Sequence, residues 1–288
     1  MSEVQDIQWF PGHMARTRRQ IQASLKLIDA VVEVVDARVP VSSRNPEVPQ
    51  LTNGKPRIVL LNKCDVADKE ITAKWVEYYK SQNIPAIAVD SKSGTGLNAF
   101  VPAVKQLLAE KIEKNKAKGI NKTLRLMVVG IPNCGKSSFI NRMAKTVKAK
   151  VEDRPGVTRG NQWFSIAGGI DLLDTPGVLW PKFDDKNVGE RLAFTGAIRD
   201  NILDIETLAM RFIETLPNKY LPMMTERYKL GDISELDSYE ILQLIARKRG
   251  MLISGGECDT ERAAIMLLDE FRRAKITRIS LELPERKD

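Results

Sequence analysis

The residues GIPNCGKS, Gly130–Ser137, constrain this chain more than any other stretch. They fit the pattern Gly-x4-Gly-Lys-Ser and follow an apolar run, Leu124–Gly130 (LRLMVVG). A glycine-rich turn between a buried strand and a helix gathers backbone N–H groups at the positive end of the helix dipole, which makes an anion site. Such a loop needs a strand behind it and a helix in front of it, so it predicts an α/β sheet. Asn133, Cys134, Gly135, Lys136, Ser137 and Ser138 are then expected against phosphates. Lys136 would neutralise the β and γ groups, and Ser137 would hold Mg²⁺.

The rest of the chain agrees with that sheet. Ala30–Asp36 (AVVEVVD), Arg57–Asn62 (RIVLLN) and Ile84–Asp90 (IPAIAVD) are near-continuous apolar runs of strand length, the pattern of strands buried on both faces of a parallel sheet. Between them, Asp68–Gln82 carries Ile71, Trp75, Tyr78 and Tyr79 at helical spacing, and Leu97–Lys111 carries Phe100, Val104, Leu107 and Leu108. The alternation predicts a doubly wound, mostly parallel α/β domain. Ala109–Lys122 (AEKIEKNKAKGINK) reads as a charged, exposed connector inside it. After Gly177 the pattern changes. Ile205, Leu208, Ala209, Phe212, Ile213 and Leu216 form one helical face, and Ala264, Leu267, Leu268 and Phe271 form another. The expected division is residues 1–180, with an N-terminal arm over 1–25, followed by an all-helical domain over 181–288.

A second motif stands upstream of the phosphate loop. LNKCD, residues 61–65, ends the strand-like run RIVLLN. Asp65 would accept from guanine N1–H and the 2-amino group; adenine offers no such donors and would leave a carboxylate unpaired. Asn62 would brace the neighbouring loops, the Lys63 stem would cover the base, and Cys64 lies between them. Asp90 and Ser91 open DSKSGTG, a second strand-end loop able to face guanine O6. Downstream of the phosphate loop, Asp174-Thr-Pro-Gly177 ends the run IDLLD. Asp174 would reach Mg²⁺ through water, the Gly177 N–H would sense the γ-phosphate, and Thr158 in RPGVTRG would close on the metal. These are the parts of a GTP-hydrolysing site in rotated order, base motif first. In an open parallel sheet all such loops lie at the carboxyl ends of the strands, so a cyclic change of chain order keeps the site together. It also places the nucleotide-sensing loops directly before the helical domain.

Bulk properties narrow the class. The chain has 288 residues, 45 Lys and Arg against 37 Asp and Glu, and a formal charge of +8, a moderate excess that suits a polyanionic partner. No apolar run reaches the roughly 18 residues a membrane span requires, and no signal-peptide stretch opens the sequence. A cytoplasmic monomer without membrane association is expected. Cys64, Cys134 and Cys258 show neither disulfide nor zinc spacing. The residues alone leave open a P-loop ATPase or kinase, which Asp65 opposes. They also leave open an RNA-binding module with a vestigial site, which Lys136, Ser137, Thr158 and Asp174 oppose.

WFPGHM at 9–14, DARVPVSSRNP at 36–46, NKCD, GIPNCGKSSFIN and DTPGVLWP at 174–181 together resemble the circularly permuted GTPases of the YlqF/YawG family. The resemblance covers nearly the whole chain. It implies a GTPase that binds the large (50S) ribosomal subunit late in assembly in the GTP state and leaves on hydrolysis. It also implies a helical C-terminal domain that contacts rRNA; a permuted GTPase acting on the small subunit or another RNA particle is the alternative. Val178 follows Asp-x-x-Gly and cannot orient water as a glutamine would, so slow intrinsic hydrolysis is expected. The resemblance offers His13 in that role; the bland alternative is a structural or RNA-facing residue of the arm. Asn133 resembles the phosphate-loop asparagine of GTPases that use K⁺, the alternative being an ordinary loop residue. For RNA, Arg16, Arg18, Arg19, Arg38, Arg44, Arg272, Arg273, Lys275 and Arg278 are the candidates.

Overall fold

The structure is a computed structural model and describes residues 19, 21–145, 162–175, 177, 185–198 and 204–284. His13, Arg16, Arg18, Thr158 and Val178 lie outside the described residues.

Six strands form one sheet in the order β3-β2-β1-β4-β6-β5. They are β1 (Ala30–Asp36), β2 (Arg57–Asn62), β3 (Ala86–Val89), β4 (Leu124–Val129), β5 (Gln162–Ile166) and β6 (Ile170–Asp174). All neighbours run parallel except β5, which pairs antiparallel with β6 at the edge. The three strands on one side of β4 come first in the chain and the two on its other side come last, as the rotated motif order requires. β1 lies at the centre with all seven residues buried. Alternate side chains serve the two faces. Ala30, Val32 and Val34 pack with Phe100 and Phe139. Val31 packs with Ile21, Ile28 and Val48, and Val35 with Ile71 and Trp75.

The helices are α1 (Lys69–Ser81), α2 (Phe100–Leu107), α3 (Ala109–Ala117), α4 (Lys136–Lys145), α5 (Lys186–Phe194), α6 (Ile205–Thr215), α7 (Leu221–Tyr228), α8 (Ser238–Lys248) and α9 (Thr260–Arg272). Aspartates start several of them by accepting otherwise orphaned N–H groups: Asp68 for α1, Asp204 for α6, Asp259 for α9, and Asp237 with Glu240 in a reciprocal box for α8. Each such cap is worth about 1 kcal/mol.

Two expectations need correction. Leu97–Lys111 is not one helix: it breaks at Leu108 into α2 and α3. Ala109–Lys122 is exposed, as expected, but its first nine residues are helical and form α3, which buries none of them. Ala, Glu and Lys are strong helix formers, and no apolar face is required to sustain one turn after another when a preceding helix nucleates it. The edge strand β5 was also not expected.

The helical region does not stand apart from the sheet. One apolar cluster runs from Leu126 and Phe139 through Phe194 and Phe212 to Leu268 and Phe271. Phe212 lies between Phe194 (5.5 Å between centroids, near-perpendicular) and Phe271 (4.7 Å). The chain then returns to the sheet along Ile276–Leu283. Leu281 N–H donates to Arg38 O (2.8 Å), Trp75 Nε1–H donates to Glu282 O (3.1 Å), and the buried Glu282 carboxylate accepts from the Val41 (2.6 Å) and Ser42 (3.1 Å) N–H groups. No helix among the described residues is long and apolar enough to cross a membrane.

Candidate active site

The predicted loops converge as parallel-sheet geometry demands. Asp36, Asn62, Asp90, Gly130 and Asp174 stand at or just past the carboxyl ends of β1, β2, β3, β4 and β6. Asn62 joins three of these loops. Its Nδ2 donates to Cys134 O in the phosphate loop (2.8 Å), and its Oδ1 accepts from the Ser91 N–H (3.0 Å) and hydroxyl (2.8 Å). The residue is buried, so these bonds are made away from water. Gly135 sits at φ +95°, and a Cβ there would fall 2.1 Å from Asn62 Nδ2. Any side chain at the second motif glycine would therefore collide with the base-motif asparagine.

Lys136 Nζ lies 2.7 Å from Asp174 Oδ1. The residue assigned to the phosphates and the one assigned to the metal thus share one small volume and neutralise each other. A Cβ on Gly177 would come within 3.0–3.3 Å of the backbone at Ile131 and Pro132, so this glycine runs directly against the phosphate loop. Ser137 and Ser138, at the start of α4, are exposed, as is the Asp65 side chain. Cys134 is buried, and burial pushes its thiol up to about 11; Cys64 is raised by burial and by the carboxylates of Asp65 and Asp90. Neither is an activated nucleophile.

The second base loop shows a division of labour that its residue types do not reveal. Asp90 accepts from Lys92 N–H (2.8 Å) and Ser93 N–H (3.1 Å). Burial raises its pKa, but the hydrogen bonds from Ser93 and Lys92 outweigh this and hold it below the usual carboxylate range. Asp90 therefore shapes the loop and Ser91 locks it to Asn62. Arg142 of α4 donates to Ser93 O and braces the same loop from the phosphate side.

Asn133, with φ +58°, donates through Nδ2 to Gly196 O (3.0 Å) just past α5. The phosphate loop thus touches the helical region directly. Asp36 was missed as part of the site. It is buried at the end of β1, 3.0 Å from Lys63 Nζ and 2.7 Å from Arg38 Nη2. Burial alone would raise this carboxyl, yet the two cations hold it well below the usual range. It opens the DARVPVSSRNP stretch, but its own signal was only an Asp closing an apolar run.

Arg38 is the clearest correction among the RNA candidates. It is 1% exposed and spent on Asp36, Thr195 O (3.3 Å) and the Phe271 ring. Arg44 pairs with the buried Glu33 (3.0 Å), and Arg272 caps α5 by donating to Phe194 O and Ala193 O (2.9 Å each). Arg19, Arg273, Lys275 and Arg278 are exposed, Arg273 within 2.9 Å of Asp269.

Known proteins share this arrangement. A family described as "50S ribosome-binding GTPase" matches residues 125–227, beginning at the phosphate-loop strand with the base motif lying upstream. Ribosome biogenesis GTPase A of Priestia megaterium is 48% identical over 280 residues, covering 96% of this chain and 97% of its own. The protein of that name from Thermotoga maritima is 32% identical over 277 residues, covering 96% and 94%. Among solved structures, GNP-bound YlqF from T. maritima matches with a TM-score of 0.64 at 29% identity, over 94% of this chain and 99% of that one, and GDP-bound TM YlqF with a TM-score of 0.66 at 29% identity, over 93% and all of that one. With the phosphate loop, the guanine motif and their rotated order all in place, the chain belongs to the ribosome biogenesis GTPase A (YlqF) family of circularly permuted GTPases.

Proposed function

We propose that this GTPase acts on the maturing large ribosomal subunit, binding it in the GTP state and leaving after hydrolysis. The observation that carries the reading is Asn62, which ties the guanine motif, the second base loop and the phosphate loop together. The names of the relatives supply the ribosomal partner.

In this reading Asp65 takes guanine N1–H and the 2-amino group, and the Lys63 stem covers the ring. Cys64 packs beneath as an inert spacer. Asn133 to Ser138 cradle the phosphates. Lys136 exchanges its Asp174 partner for the β and γ oxygens, and the freed carboxylate turns towards the metal's water shell. The residues fit Mg²⁺: Ser137 and Asp174 are hard oxygen donors, and among the described residues no group of three or more His, Cys, Asp or Glu forms a cage. Such a sparse set suits an ion whose shell phosphates and water complete. Held by these residues, Mg²⁺ would supply positive charge against the phosphates. Thr158 would add a ligand to that ion, Gly177 senses the γ-phosphate, and His13 orients the attacking water. Asn133 would hold K⁺, which would supply the positive charge that an arginine provides elsewhere.

The distribution of charge supports an RNA-facing side on the GTPase unit. Residues 21–145 hold 20 Lys and Arg against 11 Asp and Glu, whereas residues 204–284 hold 12 against 14. The cationic excess thus lies on the GTPase unit, with exposed Lys105 on α2 and Lys114, Lys116, Lys118 and Lys122 along and beyond α3. Contacts of this kind are made to phosphates and weaken steeply with salt. The protein works in the cytoplasm as a monomer, with a GTPase unit up to residue 180 and a helical unit after it. The test is co-sedimentation with purified 50S and 30S subunits in a non-hydrolysable GTP analogue or GDP, across a salt series. The reading expects analogue-dependent, salt-sensitive binding to 50S alone; equal binding in GDP, or preference for 30S, would overturn it.

A further inference from the structure

We propose that Asp36 and Arg38 are positioning residues for guanine recognition: Asp36 holds the Lys63 ammonium so that its stem lies over the base, and Arg38 ties that pair to the helical region. The proposal rests on the reading of Lys63 as the base-covering residue.

Lys63 adopts φ +61°, a left-handed conformation that costs a non-glycine residue about 1 kcal/mol and persists only where its surroundings impose it. Its side chain is held at the far end. Lys63 Nζ lies 3.0 Å from Asp36 Oδ2, and Asp36 is 2% exposed at the end of the central strand. The other side of that carboxylate is filled by Arg38, through Nε to Oδ1 (2.9 Å), Nη2 to Oδ2 (2.7 Å) and its own N–H to Oδ1 (3.1 Å). A forked arginine fixes the plane of a carboxylate, and hence the point where Oδ2 meets Lys63.

Arg38 reaches further. Its Nη2 donates to Thr195 O (3.3 Å), and its guanidinium carbon lies 5.2 Å from the centroid of the Phe271 ring in α9. Thr195 precedes Gly196, whose carbonyl accepts from Asn133 of the phosphate loop. The short segment after α5 is therefore held from the base side by Arg38 and from the phosphate side by Asn133.

The experiment separates the base from the phosphates. Affinity is measured for mant-GDP and, by displacement, for inorganic tripolyphosphate, which has no base. Asp36→Asn removes the charge facing Lys63 and should raise the mant-GDP Kd about tenfold, with the tripolyphosphate constant unchanged. In a Lys63→Met background, Asp36→Asn should add nothing, because it acts through that lysine. Additive effects, or equal weakening of tripolyphosphate, would overturn the proposal. If Lys63→Ala, which removes the stem, left mant-GDP binding intact, the base-covering role itself would fall. Should Asp36→Asn not fold, the unmodified protein still decides the link to the helical region. GDP should slow amide exchange at Gly196 and Ala197 more than tripolyphosphate does, and Phe271→Leu should abolish that difference. Equal protection by both ligands would refute it.

Discussion

Replacing Asn62 by alanine removes one donor and one doubly used acceptor from a buried position. Three bonds of 2.8, 3.0 and 2.8 Å disappear, and Cys134 O, the Ser91 N–H and the Ser91 hydroxyl lose their partner. At about 1 kcal/mol net for each bond, the loss is about 3 kcal/mol, and burial of the orphaned groups pushes it upward unless water enters the gap. This is shared between folding stability and nucleotide affinity, since the same bonds set the distance between the two halves of the pocket. Urea unfolding followed by tryptophan fluorescence reads the first, and mant-GDP titration reads the second. Asn62→Asp divides the effect further: it keeps the acceptor for Ser91 but sets a carboxylate against Cys134 O. It should therefore cost nucleotide affinity at least as heavily as alanine does. If Asn62→Ala changed stability by less than about 0.5 kcal/mol and affinity by less than about twofold, the brace would be geometry without energy and the argument would fail.

Further outcomes follow from the same structure. Asp65→Asn should lower GTP affinity by about a hundredfold and favour XTP, whose 2-oxo group accepts from the new amide; competition binding with the two nucleotides checks it. Burial pushes the Tyr79 phenol up to about 12, so its contribution is fully present below about pH 10 and is lost as pH rises towards 12. Thermal melts of Tyr79→Phe should lack that alkaline step, which amounts to about 2–3 kcal/mol. GTP turnover should be faster in K⁺ than in Na⁺ through Asn133, and equal rates would remove the ion from the account.

How much of this was legible in the sequence depended on which physical signal a residue carried. β1, β2 and β6 matched their apolar runs, because strands buried on both faces leave continuous β-branched sequence. The base and phosphate motifs were legible because each demands particular residue types at fixed spacing. α3 was not, since its helicity rests on propensity and it buries no residue. Arg38 was misread because a sequence shows charge but not the buried carboxylate that claims it. Asp36 was overlooked for the complementary reason: inside AVVEVVD it looks like a strand terminus. The return of Ile276–Leu283 to the sheet depends on contacts with residues more than two hundred positions away, which no local pattern reports.

The central claim is that this permuted GTPase is switched by the large ribosomal subunit. Steady-state GTP turnover in K⁺ buffer, alone and with purified large or small subunits, tests it most directly. The account predicts slow turnover alone, strong stimulation by the large subunit only, and loss of that stimulation in His13→Ala with nucleotide affinity intact. Stimulation by the small subunit, or by neither, would contradict it.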